Sequence, residues 1–103
     1  MIYIFWSCKD QEEARKIICE LLNLHLIACA SFFSQVQSLY FWKGEIEESS
    51  EIKVILKTEK RLFEPVRAFI KNHCSYEIPE IVSVDIAQIE PSYLSWLSSS
   101  LIS

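Results

Sequence analysis

The sequence holds one glycine in 103 residues, Gly44, and only three prolines. So little glycine leaves no Gly-rich loop to cradle a phosphate and almost no material for left-handed turns. The four cysteines, Cys8, Cys19, Cys29 and Cys74, are spaced by 11, 10 and 45 residues, so the close pairs of zinc-finger and thioredoxin motifs are missing. Basic charge is also sparse. The ten Lys and Arg are scattered and the net charge is −4, which argues against non-specific nucleic-acid binding. Long hydrophobic runs are absent too. The stretch Met1 to Trp6 is too short to span a bilayer and has no basic flank, so neither a membrane helix nor a signal peptide is expected. The expected location is the cytoplasm, where separated cysteines are typically reduced and buried. No Ser-His-Asp order or nucleophile elbow is visible, and no enzymatic activity is expected.

What is present is apolar and aromatic. Half of the residues are hydrophobic and 13% are aromatic, enough for one packed domain over residues 1–103. Residues 2 to 8 read as a strand buried on both faces. Asp10 offers a helix N-cap, with Glu13 completing a capping-box-like start. Ala14, Ile17, Ile18, Leu21, Leu22 and His25 then form one helical stripe. Ile27 to Trp42 returns to strand character, broken or bulged near Ser34-Gln35. Gly44 follows the aromatics Tyr40, Phe41 and Trp42, and residues 45 to 51 read as an acidic hairpin connection before a return strand, Glu51 to Thr58.

Pro65 places the second helix from about Arg61–Glu64 to Asn72, with Leu62, Val66, Phe69, Ile70 and His73 on its apolar face. Pro79 to Ile86 reads as a proline-opened edge strand, and Pro91 starts a short C-terminal helix carrying Tyr93, Leu94, Trp96 and Leu97. The order is β-α-β-β-α-β plus a helix. Two right-handed crossovers make this an α+β, ferredoxin-like sandwich with a long hairpin between the second and third strands. Helices cover one sheet face, so the other face and the aromatic hairpin need a cover, most simply further copies of the chain.

Six stretches in order resemble the CutA family, named for divalent-cation tolerance. They are Cys8-Lys9-Asp10, Leu26-Ile27-Ala28-Cys29, Tyr40 to Ile46, Lys57-Thr58, Tyr76 to Ile81, and Pro91 to Leu97. The resemblance implies a homotrimer whose hairpins reach across to neighbouring subunits, and a role in binding copper or another divalent metal, with no organic cofactor. Two positions depart from the family pattern. Lys9 stands where the family usually has proline, and Cys74-Ser75 stands where it has His-Pro.

Cys8, Cys29, His73 and Cys74 form the candidate metal set, since thiolate and imidazole suit Cu(I) or Zn(II). His73 reads equally as the end of a helical apolar stripe. Tyr40, Trp42, Tyr76, Tyr93 and Trp96, with Lys57, Glu77 and Glu80 supplying charge, read either as a pocket between subunits or as buried interface anchors. An alternative function is a trimeric signalling or scaffold module that binds a small anion or a protein partner in clefts between subunits, without metal.

Overall fold

The computed structural model describes residues 1–103. Strand β1 (Ile2–Cys8) leads into helix α1 (Gln11–Asn23). The long strands β2 (Cys29–Trp42) and β3 (Glu45–Thr58) form the hairpin. A 3-10 turn (Lys60–Leu62) precedes helix α2 (Phe63–His73), edge strand β4 (Ile81–Asp85) and helix α3 (Pro91–Ser99). The sheet is antiparallel throughout, in the order β2-β3-β1-β4, the arrangement that the β-α-β-β-α-β reading requires. It is a ferredoxin-like α+β sandwich.

Strand alternation explains the core. Ile2, Ile4, Trp6 and Cys8 point to the helical side opposite Thr58, Leu56, Val54 and Ile52, and all eight are buried. Ala14, Ile17, Ile18 and Leu21 of α1 and Val66 and Ile70 of α2 close that layer. Burying each large side chain contributes about 1.5–3 kcal/mol. The Trp6 indole N–H is enclosed without a hydrogen-bond partner. A smaller cluster of Ala28, Leu62, Leu97 and Leu101 seats α3 on the body. The opposite sheet face, with Phe33, Val82 and Val84, is open.

Several boundaries differ from the sequence reading, each for a local reason. Residues 45 to 51 are not a connection but the first half of β3, paired residue by residue with β2 from Trp42↔Glu45 to Val36↔Glu51. Neither face of this segment is packed against a helix, so glutamates are tolerated in the ladder. The turn is only Lys43-Gly44, with φ of 51° and 84°, the left-handed pair that a two-residue type I′ hairpin demands. His25 and Gln35 also adopt positive φ, so non-glycine residues fill the left-handed positions that scarce glycine leaves open. Gln35 marks the expected bulge, where the β2–β3 register shifts between Phe33 and Val36.

β2 begins at Cys29 and not Ile27, although the Ala28 N–H already donates to the Lys57 carbonyl at 2.9 Å. Pro79 lies before β4, because it has no N–H to give the ladder. α1 stops at Asn23, which leaves His25 beyond it and exposed, while Leu22, inside the helix, is also exposed and outside the buried stripe. His25 Nδ1 instead pairs with the Ser100 carbonyl at 3.2 Å and helps pin the C-terminal segment.

Candidate functional site

Two clusters of reactive side chains lie at opposite ends of the sheet. Cys8 sits beside Ile52 in the register and Cys29 beside Lys57. Five residues of strand at about 3.4 Å each put roughly 17 Å between those levels.

At the Cys8 end, the helix cap and the thiol share an acid. Asp10 Oδ1 accepts from the Glu13 N–H at 2.8 Å, the expected cap. The Glu13 carboxylate does not return to Asp10 as a capping box would. It accepts from Cys8 Sγ at 3.1 Å and from the Ser75 N–H and hydroxyl, both at 3.2 Å. Burial, then the bond to Glu13, pushes the Cys8 thiol up to about 12. Cys8 is therefore held as a neutral donor. Cys74 is half-buried, its Sγ 3.8 Å from the Tyr76 carbonyl. His73 is exposed and does not complete a buried stripe. Its ring stacks on Phe69 at 4.0 Å, and its Nδ1 donates to the Phe69 carbonyl at 2.8 Å, leaving only Nε2 available to a ligand.

At the other end, Cys29 Sγ lies 3.6 Å from the Tyr93 hydroxyl. The Lys57 ammonium stands over the Tyr3 and Tyr93 rings at 5.4 and 5.7 Å from their centroids, and Tyr93 stacks with Trp96 at 5.6 Å. The contact with Cys29, then burial, raises the Tyr93 phenol. Burial works against the Lys57 charge, but the Tyr93 phenol and the Cys29 thiol outweigh it and raise the ammonium.

The four candidate ligands are thus not gathered within one chain, and no group of three or more His, Cys, Asp or Glu side chains stands ready to hold a metal ion. The single-chain arrangement does not fit a resident metal.

The aromatic candidates divide in the same way. Tyr40, Trp42, Tyr76 and Glu77 line one groove of about 650 Å³, between the arm of the hairpin and the segment leading to β4. Lys57, Tyr93 and Trp96 belong to the Cys29 end. The groove also holds residues that the sequence did not single out: Ser7, Glu47, Glu51 and Lys53. Lys53 forms a short ion pair with Glu80 and donates to Ser7 Oγ at 2.8 Å, while Ser7 Oγ donates to Glu80 at 2.8 Å. The Lys53 ammonium, helped by Ser7, holds the Glu80 carboxyl below the usual carboxylate range. Burial, then the Glu51 charge, pushes the Tyr76 phenol up. The alternation Glu51, Lys53, Ile55, Lys57 was the one available signal for Lys53, but it gives no partner without the register.

The strand order, the two helices on one face and the long hairpin define a ferredoxin-like fold with an exposed β arm. The sequence profile of the family described as CutA1 divalent ion tolerance protein matches residues 2–100. A divalent-cation tolerance protein CutA of Pyrococcus horikoshii is 37% identical over 97 residues, which are 94% of each chain. Protein CutA of Mus musculus is 32% identical over 90% of this chain, which spans only 52% of the mouse protein. The crystal structure of CutA1 from Pyrococcus horikoshii superposes with a TM-score of 0.95 at 34% identity, covering 100% of both chains. The periplasmic divalent cation tolerance protein CutA from Archaeoglobus fulgidus gives 0.94 at 32% identity, over 97% of this chain and 98% of that one. The chain belongs to the CutA1 divalent ion tolerance family.

Proposed function

We propose that the chain works as a homotrimer in the cytoplasm and binds copper or another divalent metal, with ligands drawn from more than one subunit. The carrying observation is unpartnered apolar surface on both sides of the sheet: on the arm Leu39 and Ile46 are each 70% exposed and Phe41 is 74% exposed, and on the open sheet face Phe33, Val82 and Val84 are also exposed. A monomer rarely leaves so much contiguous apolar strand in water. Family membership supports the link to divalent cations. The reading requires assembly to bring Cys29 of one copy near Cys74 of the next, since one chain holds them at opposite ends of the sheet.

Light scattering should give three chain masses at micromolar concentration, and a monomer there overturns the assembly. Calorimetry with Cu(I), Cu(II) and Zn(II), run on the native chain and on Cys29→Ser and Cys74→Ser, tests the metal. The reading expects weaker binding in each variant. Binding unchanged by both substitutions, or no tighter than to a surface histidine, overturns it. The alternative of a small-anion module meets an opposing charge in the groove, where four glutamates face one lysine. Thermal stabilisation by nucleotides or organic anions, and not by metals, would favour that alternative.

A further inference from the structure

The helical side of the sheet, away from the arm, holds two thiols tied to one carboxylate. Cys8 ends β1 with its side chain fully buried in the core. Cys74 follows the last residue of α2, its N–H donating to the Ile70 carbonyl at 2.8 Å, and its side chain packs against the core cluster that includes Cys8. Glu13 joins the two segments. Its Oε2 accepts from Cys8 Sγ at 3.1 Å and from the Ser75 hydroxyl at 3.2 Å, and its Oε1 accepts from the Ser75 N–H at 3.2 Å. The Cys8 sulfur and the residue next to Cys74 therefore share one oxygen atom. The other two cysteines lie elsewhere: Cys29 at the far end of the sheet, Cys19 exposed on α1.

We propose that Cys8 and Cys74 are a redox pair that closes to a disulfide within one chain when the protein meets hydrogen peroxide. Cys74 is the half-buried member and reacts first. Its thiolate sulfur attacks the peroxide O–O bond. An S–O bond forms, hydroxide leaves and takes up the proton the thiol had released, and the sulfur becomes a sulfenic acid as the peroxide is reduced by two electrons. The Cys8 sulfur then attacks the Cys74 sulfur. The S–S bond forms, the S–O bond breaks, and the Cys8 proton passes through Glu13 Oε2 to the departing hydroxide, which leaves as water. Two thiols and one peroxide thus give one disulfide and two waters. A disulfide needs the two Cα atoms within about 7 Å of each other. Residues 74–80 carry no helix or strand, so the Cys74 backbone can adjust, and its sulfur gives up one long contact, 3.8 Å to the Tyr76 carbonyl. Closure replaces the Cys8–Glu13 hydrogen bond by a covalent tie between β1 and the end of α2.

The test treats the native full-length protein with hydrogen peroxide, a chelator being present to exclude metal-driven oxidation, and maps the peptides by mass without reductant. The expected product is a Cys8–Cys74 cross-link within one chain, with two hydrogens lost and restored by dithiothreitol. In Cys8→Ala the Cys74 sulfenic acid has no second thiol to consume it, so dimedone should trap it in severalfold higher yield than in the native chain. Circular dichroism checks that the variant keeps its fold. Three results overturn the proposal: Cys74 oxidised beyond the sulfenic acid while Cys8 stays a free thiol, Cys74 joined to Cys29 of the partner subunit, or equal dimedone labelling of the native chain and Cys8→Ala. The metal reading is judged separately, by calorimetry on the reduced chain.

Discussion

The hairpin β2–β3 is two different structures joined at Gln35. Below the bulge, β3 presents Ile52, Val54, Leu56 and Thr58 to the helices, and none is more than 7% exposed. Above it, Leu39, Phe41 and Ile46 occupy equally regular strand positions and are at least 70% exposed. For these apolar residues it is the presence or absence of a second layer, and not residue type, that separates the two halves. A β-strand gains stability from what packs on its face, and the arm has no helix above or below it. Contacts within the single chain account for the apolar content of the body and leave that of the arm unpartnered.

The sharpest way to test this division is to remove equally large side chains from each half. Trp6→Ala, at the centre of the body, should destabilise folding by about 3–5 kcal/mol, read from denaturant unfolding. Phe41→Ser should change the stability of a dissociated chain by no more than about 0.5 kcal/mol, as for other exposed positions, while weakening the mass measured by light scattering. A large folding defect from Phe41→Ser would erase the distinction between the halves.

Titration sharpens the same contrast. The Cys8 thiol is raised in the folded body, so its contribution is complete at neutral pH. It is lost as pH climbs from the ordinary thiol range toward about 12, because the unfolded chain ionises there first. Cys8→Ala should therefore flatten the alkaline limb of the stability curve, and iodoacetamide should label exposed Cys19 well before buried Cys8. At the groove the sign reverses. The lowered Glu80 carboxyl contributes above the ordinary carboxylate range, and its contribution disappears as pH falls through its folded value. The pair is partly exposed, so Glu80→Gln should cost below about 1 kcal/mol at neutral pH and nothing at low pH. The smallest effect belongs to the turn. Lys43→Asn, which suits the left-handed φ of 51°, should add a few tenths of a kcal/mol.

Much of this architecture is legible in the residues. The apolar run of strand β1, the Asp10 cap, the bulge near Ser34-Gln35 and Pro91 at a helix start are all local signals that the structure carries, but β1 is not buried on both faces as the run suggests, since Tyr3 and Phe5 on the open side are only half-buried. The acidic half of β3 was not legible, because glutamate in a solvated strand looks like glutamate in a loop. The site was less legible still. Cys8, Cys29, His73 and Cys74 invite grouping by chemistry, but their distances are set by the strand register, which no local pattern encodes. Ser7 of β1, Lys53 of β3 and Glu80, just before β4, meet for the same reason. Glu13 looks like half of a capping box until Ser75, 62 positions away, arrives to share it.

β3 runs unbroken for 14 residues from the turn to Thr58, while β2 alone absorbs the irregularity at Gln35. The two strands therefore differ mechanically: one is a continuous spar and the other a jointed one. Lys53 lies on the spar between the core residues Ile52 and Val54. A load applied to the arm by a neighbouring copy is transmitted along β3 directly into the centre of the body, whereas β2 can yield at its joint.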